Sequence, residues 1–193
     1  MFENILSSRF YAICNEITRL IYITIIFIIF SLPIITIGAS LTALIATIRQ
    51  PEYKTLPLFW QTFKENLLRG GVVLLFTAFS TMFLVQLWQF AGTIPAGNII
   101  FIFIAIFLSV YNLNAYLFVS IIKKCGITFF RQIFFFTIGT LYKTFLVPVI
   151  AIIFAIVAPI IGGYPLAMLS TCIVLSIYVK IIKKDLELIE EYL

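Results

Sequence analysis

The chain contains no histidine, and only 11% of its 193 residues are charged. The first absence removes the imidazole that serves as base or metal ligand near neutral pH. The second bears on the solvent the chain lives in. Soluble domains carry about a quarter of charged residues, so a chain that is 63% apolar lacks the polar surface to cover a core in water. Cysteine is scarce as well. Cys14, Cys125 and Cys172 are far apart and odd in number, which suits neither a disulfide framework nor a metal motif. No Asp or Glu interrupts the long apolar runs. Ion-coupled transporters put an ionisable group at membrane depth, so proton-coupled transport is disfavoured. The serines and threonines have no partner base, which leaves nucleophilic catalysis without apparatus. The expectation is a protein that is not an enzyme and holds no cofactor or metal. Its net charge of +5 is read as a topology signal. A nucleic-acid partner would call for a basic face on a soluble fold.

What the chain does have is uncharged length. Leu20–Ile48, Gly70–Ile122 and Thr144–Val179 carry no charge over 29, 53 and 36 residues. One helical span needs roughly 20 residues, so the second and third runs fit two spans each and the first fits one long or broken span. Gly92, Pro95 and Gly97 mark a turn inside the second run, and Pro159, Gly162, Gly163 and Pro165 mark one inside the third. The expected fold class is all-α: a polytopic transmembrane helix bundle of about five spans with amphipathic interfacial helices. It forms a single membrane domain over 1–193. An N-terminal amphipathic helix covers 1–19 and a first span kinked at Pro33 covers 20–48. A cytoplasmic elbow (49–70) leads to a hairpin of two spans (71–124). A second elbow (125–143) leads to another hairpin (144–184), and a cytoplasmic tail (185–193) follows. The first run exceeds the apolar region of a signal peptide, about 7–15 residues, and Arg49 is not preceded by a clear small-x-small cleavage site, so the run is expected to be retained.

Eleven Lys and Arg residues lie from Arg49 onward, against Arg9 and Arg19 before it. The positive-inside bias puts the eleven in the cytoplasm. Pro33 decides the rest. It removes a helix hydrogen bond in mid-run, and a single kinked crossing is favoured over a re-entrant hairpin. A kinked crossing leaves the N-terminus outside, whereas a hairpin brings it in.

Three segments are amphipathic at helical spacing. The first carries Phe2, Leu6, Phe10, Ile13 and Ile17 on one face. The second, Leu56–Leu67, groups Trp60, Phe63 and Leu67 apart from Gln61, Lys64 and Glu65. The third, less regular, is Thr128–Leu141. A faint echo links Val119–Lys124 to Val179–Lys184. It reads either as a duplicated elbow-plus-hairpin unit or as the common way an Ile-rich helix leaves a membrane.

Three groups of residues are candidates for function. Trp60, Phe63, Lys64 and Glu65 join an aromatic anchor to charge, a mixture that partner contacts favour; lipid anchoring by the same elbow is the competing reading. Pro33, Thr36, Ala39, Ser40 and Ala43, with Thr47, form a stripe of small residues suited to close helix packing, or a hinge; Ile45 lies on another side. Gln86, Gln89, Asn112 and Asn114 are amides within spans. An unsatisfied amide in hydrocarbon costs several kcal/mol, so they bond between helices, line a polar cavity or meet lipid headgroups. Trp60 and Tyr142 on the inner side, with Trp88 and Tyr164 on the outer, read as interface anchors.

The segment Phe30-Ser31-Leu32-Pro33-Ile34-Ile35-Thr36-Ile37-Gly38-Ala39-Ser40 resembles the YesL-type bacterial membrane proteins, whose first span ends in an S-L-P-I-x-T-I-G sequence. Phe59-Trp60-Gln61-Thr62-Phe63-Lys64-Glu65-Asn66 is similar to that family's F-x-x-x-F-K-x-N elbow. Beyond Gly70 the likeness is one of length and hydropathy pattern. Thr24 stands where the family often carries Asn, so that amide's role does not carry over. The resemblance implies a multi-pass protein of the bacterial plasma membrane with no assigned chemistry, whose genes often accompany carbohydrate uptake. The implied role is an accessory or regulatory subunit beside a sugar ABC importer or its sensing apparatus. The implied partners are membrane lipids and another membrane protein (transporter subunits or a sensor kinase) or a second copy. The alternative is a small-solute transporter or channel in its own right, as an oligomer.

The charge count yields a direct test of topology. In a cysteine-free background, a cysteine at Lys124 or Lys184 is expected to resist an impermeant thiol reagent added to intact cells, while one at Asn98 reacts. The reverse labelling pattern overturns the assignment.

Overall fold

The computed structural model describes residues 2–51, 54–92, 95, 97–122 and 126–192, with the side chains of 2–9, 161–162, 164–168 and 189–192 outside that description. Lys123, Lys124, Cys125, the Phe2 and Leu6 side chains and the Tyr164 ring therefore lie outside the described residues. Among the described residues seven α-helices follow in order: α1 (Phe2–Ser31), α2 (Ile37–Arg49), α3 (Thr55–Glu65), α4 (Leu67–Ala91), α5 (Gly97–Ile121), α6 (Ile127–Thr144) and α7 (Leu146–Tyr192). No strand occurs among the described residues.

The N-terminal amphipathic segment and the start of the first run are one continuous helix, α1. It ends where Pro33 ends it. Proline disfavours helical geometry in the residue before it and offers no N–H of its own. Pro33 takes an extended conformation (φ −77°, ψ 124°), and a short 3-10 turn, Ile34–Thr36, leads into α2. The chain then reverses. The carbonyl of Phe30, left without a helical donor, accepts hydrogen bonds from the hydroxyls of Thr36 (2.7 Å) and Ser40 (2.9 Å). At the other end of α2 the guanidinium of Arg19 donates to the Thr47 carbonyl (2.5 Å). Arg19 facing Thr47 and Phe30 facing Ser40 make α1 and α2 an antiparallel pair. The single kinked crossing expected over 20–48 is corrected to a helical hairpin, because the serine and threonine hydroxyls after Pro33 satisfy the broken end and let the chain turn. With 13 residues, α2 is about 20 Å long, too short to recross a hydrocarbon layer of about 30 Å.

That short helix is the centre of the bundle. Helices α1, α3, α4, α5 and α7 all pack on it. Its whole circumference is buried, from Gly38 to Thr47 with Leu41 alone partly exposed. Ile45, expected off the packing stripe, is as inaccessible as Ala39, Ser40 and Ala43. The closest approach is between backbones. A Cβ built on Gly38 would stand 2.0 Å from the Gly70 carbonyl oxygen, and one on Gly70 would stand 2.6 Å from the Ala39 nitrogen. Only glycine at both positions allows α4 to begin against the start of α2.

The remaining helices wrap this post. Helices α4 and α5 form an antiparallel hairpin, with Thr77 near Asn112 and Tyr116 at one level and Trp88 against Phe101 at another. Their outer halves expose Phe79, Met82, Phe83 and Trp88 on α4 and Ile99 and Phe103 on α5, a band that suits hydrocarbon. Helix α6 buries Phe129, Ile133, Thr137, Thr140 and Thr144 on one face and exposes Phe135, Ile138 and Tyr142 on the other. The elbow expected over 125–143 is thus an apolar helix, bent by 69° against Leu146–Ile160. Helix α7 is broken at Gly163 (φ 67°, ψ −164°), a conformation open in practice to glycine alone. Its later part runs antiparallel to α1, as Lys180 meeting Glu16 (2.6 Å) and Cys172 meeting Thr24 require.

Three helical stretches are long and apolar enough to cross a membrane: Phe10–Ser31, Leu67–Ala91 and Gly97–Ile121. The bent pair makes a fourth if it counts as one span. The chain is an all-helical multi-pass membrane protein, and among the described residues the count of about five spans comes down to three or four. The difference lies in the expected hairpin over 144–184, of which only Leu146–Ile160 enters the count, as part of the bent pair.

The glycine contact sets up a paired test. Gly38→Ala is expected to lower the stability of the purified protein in detergent by about 2 kcal/mol or more, because backbone atoms must move apart. At Gly71 an added Cβ meets nothing within 4 Å, so Gly71→Ala is expected to be neutral or to gain up to about 1 kcal/mol of helix propensity. Equal melting of the two variants would exclude the contact as a constraint.

Candidate functional site

The residues singled out from the sequence do not converge. Helix α3 starts with Pro57 in its first turn, where a missing N–H costs nothing, and it packs along α2. Phe63 is turned inward, with its ring 5.1 Å from Phe30 and stacked on Phe59 at 6.4 Å. It therefore offers no contact to an outside partner, which corrects its place in the surface group. Trp60 is partly exposed and stacks on Phe63 at 6.0 Å, and the Lys64 ammonium sits 4.3 Å over the indole. Glu65 accepts a hydrogen bond from Gln61 (2.9 Å). Only Trp60, Lys64 and Glu65 remain at the surface, on a helix sealed on its other face. Asn66 is nearly buried at the α3–α4 junction. It donates to the Thr62 carbonyl (3.0 Å), while its own backbone carbonyl receives the Gly70 N–H (2.7 Å). It is a joint that sets where Gly70 meets Gly38.

The amides are dispersed too. Gln86 and Gln89 are exposed on the outer half of α4. Asn112 is half-buried and accepts from Thr77 (3.4 Å), whose oxygen also lies 3.1 Å from the Tyr116 hydroxyl. Asn114 is wholly buried: its amide donates to Thr137 (2.9 Å) and its oxygen accepts from the Tyr178 hydroxyl. A polar cavity lined by these four residues is not formed. Spacing along a helix gave their depth, but helix rotation and neighbours set their partners. Asn114 ties α5, α6 and α7 together.

The charged residues do converge, at one end of α1, α2 and α7. A cavity of about 340 Å³ lies there, lined by Glu16, Arg19, Arg49, Gln50, Lys180, Lys183 and Glu187 over a floor of Leu20, Ile23 and Ile48. Arg19 and Arg49 meet there because the hairpin returns α2 beside α1. Lys180 pairs with Glu16, and Lys183 lies 3.8 Å from Glu187. Nearby on α7, Asp185 accepts two bonds from the Lys143 ammonium (2.7 and 2.9 Å). A second cavity of about 310 Å³ adjoins the first, sharing Glu16, Leu20, Ser176 and Lys180, with Ile13, Ile17, Leu169, Ile173 and Ile177 as its apolar lining. Sequence inspection passed over this site, since its residues come from three segments up to about 170 positions apart. The excess of Lys and Arg on α7 was the one signal of it. Among the described residues, no group of three Cys, Asp or Glu side chains is placed to hold a metal ion.

Residues 20–87 match the family described as "Protein of unknown function, DUF624", a segment that runs from α1 through most of α4 and contains both glycines of the backbone contact. No curated protein and no solved structure matches the chain.

The buried amide invites a mutational cycle. Tyr178→Phe and Asn114→Ala are each expected to cost about 1–3 kcal/mol, the usual range for leaving a buried partner unsatisfied. The double variant should lose less than the two together. Gln86→Leu, at an exposed position, should stay within about 0.5 kcal/mol. Additive losses would rule out the Asn114–Tyr178 bond.

Proposed function

We propose that the chain is a non-enzymatic protein of the bacterial plasma membrane, acting as an accessory or regulatory subunit for carbohydrate uptake or its sensing. The observation that carries this reading is the closed centre of the bundle. The position that a conduction path would occupy is filled by α2, with Ala39, Ser40, Thr42, Ala43, Leu44 and Ile45 fully inaccessible. The next layer is sealed by Asn114, Thr137 and Tyr178. A solute needs a continuous polar route through the hydrocarbon, and this packing leaves its charged residues at a rim instead. A protein of that shape acts by associating. The surface left to α3, with Trp60, Lys64 and Glu65, and the charged rim of α1 and α7 are where a larger membrane protein would be met. The likeness of the Pro33 and Phe59–Asn66 segments to YesL-type proteins supplies the link to sugar uptake.

Two measurements test the reading. Purified chain in proteoliposomes is expected to give no sugar flux above empty vesicles. A mild-detergent pull-down of the full chain, analysed by mass spectrometry, is expected to recover importer or sensor-kinase subunits, and deletion should slow growth on the corresponding sugar. Flux through the isolated chain would overturn the accessory role in favour of a transporter.

A further inference from the structure

We infer that two copies of the chain pair in the membrane through the lipid-facing side of α4, with the Gln86 and Gln89 amides of one copy bonded to those of the other. The face is defined by what α4 buries. Gly70, Val73 and Ser80 are turned into the bundle, and Thr77 meets Asn112 and Tyr116 on α5. On the other side Val72, Leu75, Phe79 and Met82 are exposed, and Gln86 and Gln89 continue the same row. Steps of three and four residues alternate along it. That is the 3.5-residue repeat that keeps one side of a helix against a partner helix.

The amides decide what covers this row. Neither the Gln86 nor the Gln89 side chain has a hydrogen-bond partner among the described residues. With α4 centred in the hydrocarbon, Gln86 stands about 10 Å from the midplane, within a half-thickness of about 15 Å, and Gln89 stands at its edge. Lipid tails offer no hydrogen bond there, and an amide left dry is costly. A glutamine carries both donor and acceptor, so a second glutamine complements it. Depth makes a second copy the fitting source. Insertion gives every copy one orientation, and a two-fold axis along the membrane normal sets each residue of the row near its own counterpart. Gln86 thus meets the partner's Gln86 at the same level, whereas an unrelated span would have to supply a polar group at that depth. The apolar members of the row add shape, and the amides supply the directional attraction that lipid tails cannot. The contact uses neither α3 nor the charged rim, so it stands apart from the accessory role proposed above.

The test uses the full chain, labelled with donor or acceptor fluorophore and reconstituted in liposomes of phosphatidylcholine and phosphatidylglycerol. Energy transfer is expected to fall along a monomer–dimer curve as lipid dilutes the protein. Q86L/Q89L should weaken association about tenfold and still melt in detergent as wild type does. In a cysteine-free background, M82C on the row should be joined to a second copy by copper phenanthroline in native membranes. T81C, exposed but about 100° around the helix, should not. Energy transfer no greater than chance at every dilution would overturn the proposal, since the row would then meet lipid. Association of Q86L/Q89L as tight as wild type, or equal cross-linking of M82C and T81C, would also overturn it by placing the contact elsewhere. A cross-link from M82C to a different protein in place of a second copy would overturn it in favour of a heterologous partner.

Discussion

The contact between the backbones of Gly38 and Gly70 is the constraint on which the rest of the bundle depends. Helices packed through ordinary side chains keep their axes about 8–10 Å apart. Bare backbone allows α4 to start against α2, so that α2 can be surrounded while remaining only 13 residues long. Each end of that contact is held by local chemistry. On the α2 side, Thr36 and Ser40 close the turn after Pro33 onto the Phe30 carbonyl. On the α4 side, Asn66 joins α3 to α4 through bonds to Thr62 and Gly70.

Burying α2 on every side has a consequence for polarity. Thr42 and Thr47 sit wholly inside, and their hydroxyls are satisfied by carbonyls four residues back in the same helix (2.9 and 2.7 Å). No water is required, and no polar path results. The larger polar groups are dealt with one layer out, where Asn114 bridges α6 and α7. Charge is excluded from both layers and collects where α1, α2 and α7 end together. The bundle is thus graded from self-satisfied hydroxyls at the centre, through one amide network, to a charged rim. The grading follows from the rising cost of burying hydroxyl, amide and ion.

The same arrangement explains why so much apolar surface faces outward. Phe79, Met82, Phe83 and Trp88 on α4, with Phe103 on α5, are more than half exposed. Ringed by water, a patch of this extent would drive aggregation. Against lipid tails it is at equilibrium with its solvent. Packing therefore comes from shape and hydrogen bonds, as the glycine contact and the Asn114 network both illustrate.

Much of this was legible from residue order alone. Helical, membrane-embedded character follows from charge-free length, because hydrocarbon leaves an unpaired backbone no alternative to a helix. The break at Pro33 and the importance of the small residues after it were also readable, since proline and steric size are local properties. The direction taken after Pro33 was not, and it depends on Thr36 and Ser40 reaching back to Phe30 rather than on any pattern of hydropathy. Nor was the inward turn of Phe63, because amphipathic spacing shows that a face exists without showing what covers it. The amides show the limit most clearly. Sequence put Asn112 and Asn114 at depth, and only the rotation of α5 decided that one meets Thr77 and the other Tyr178. The charged cavity was beyond reach for the same reason. Arg19, Arg49 and Lys180 are neighbours only because a hairpin and an antiparallel helix bring three ends together, and contacts of that separation are properties of the fold.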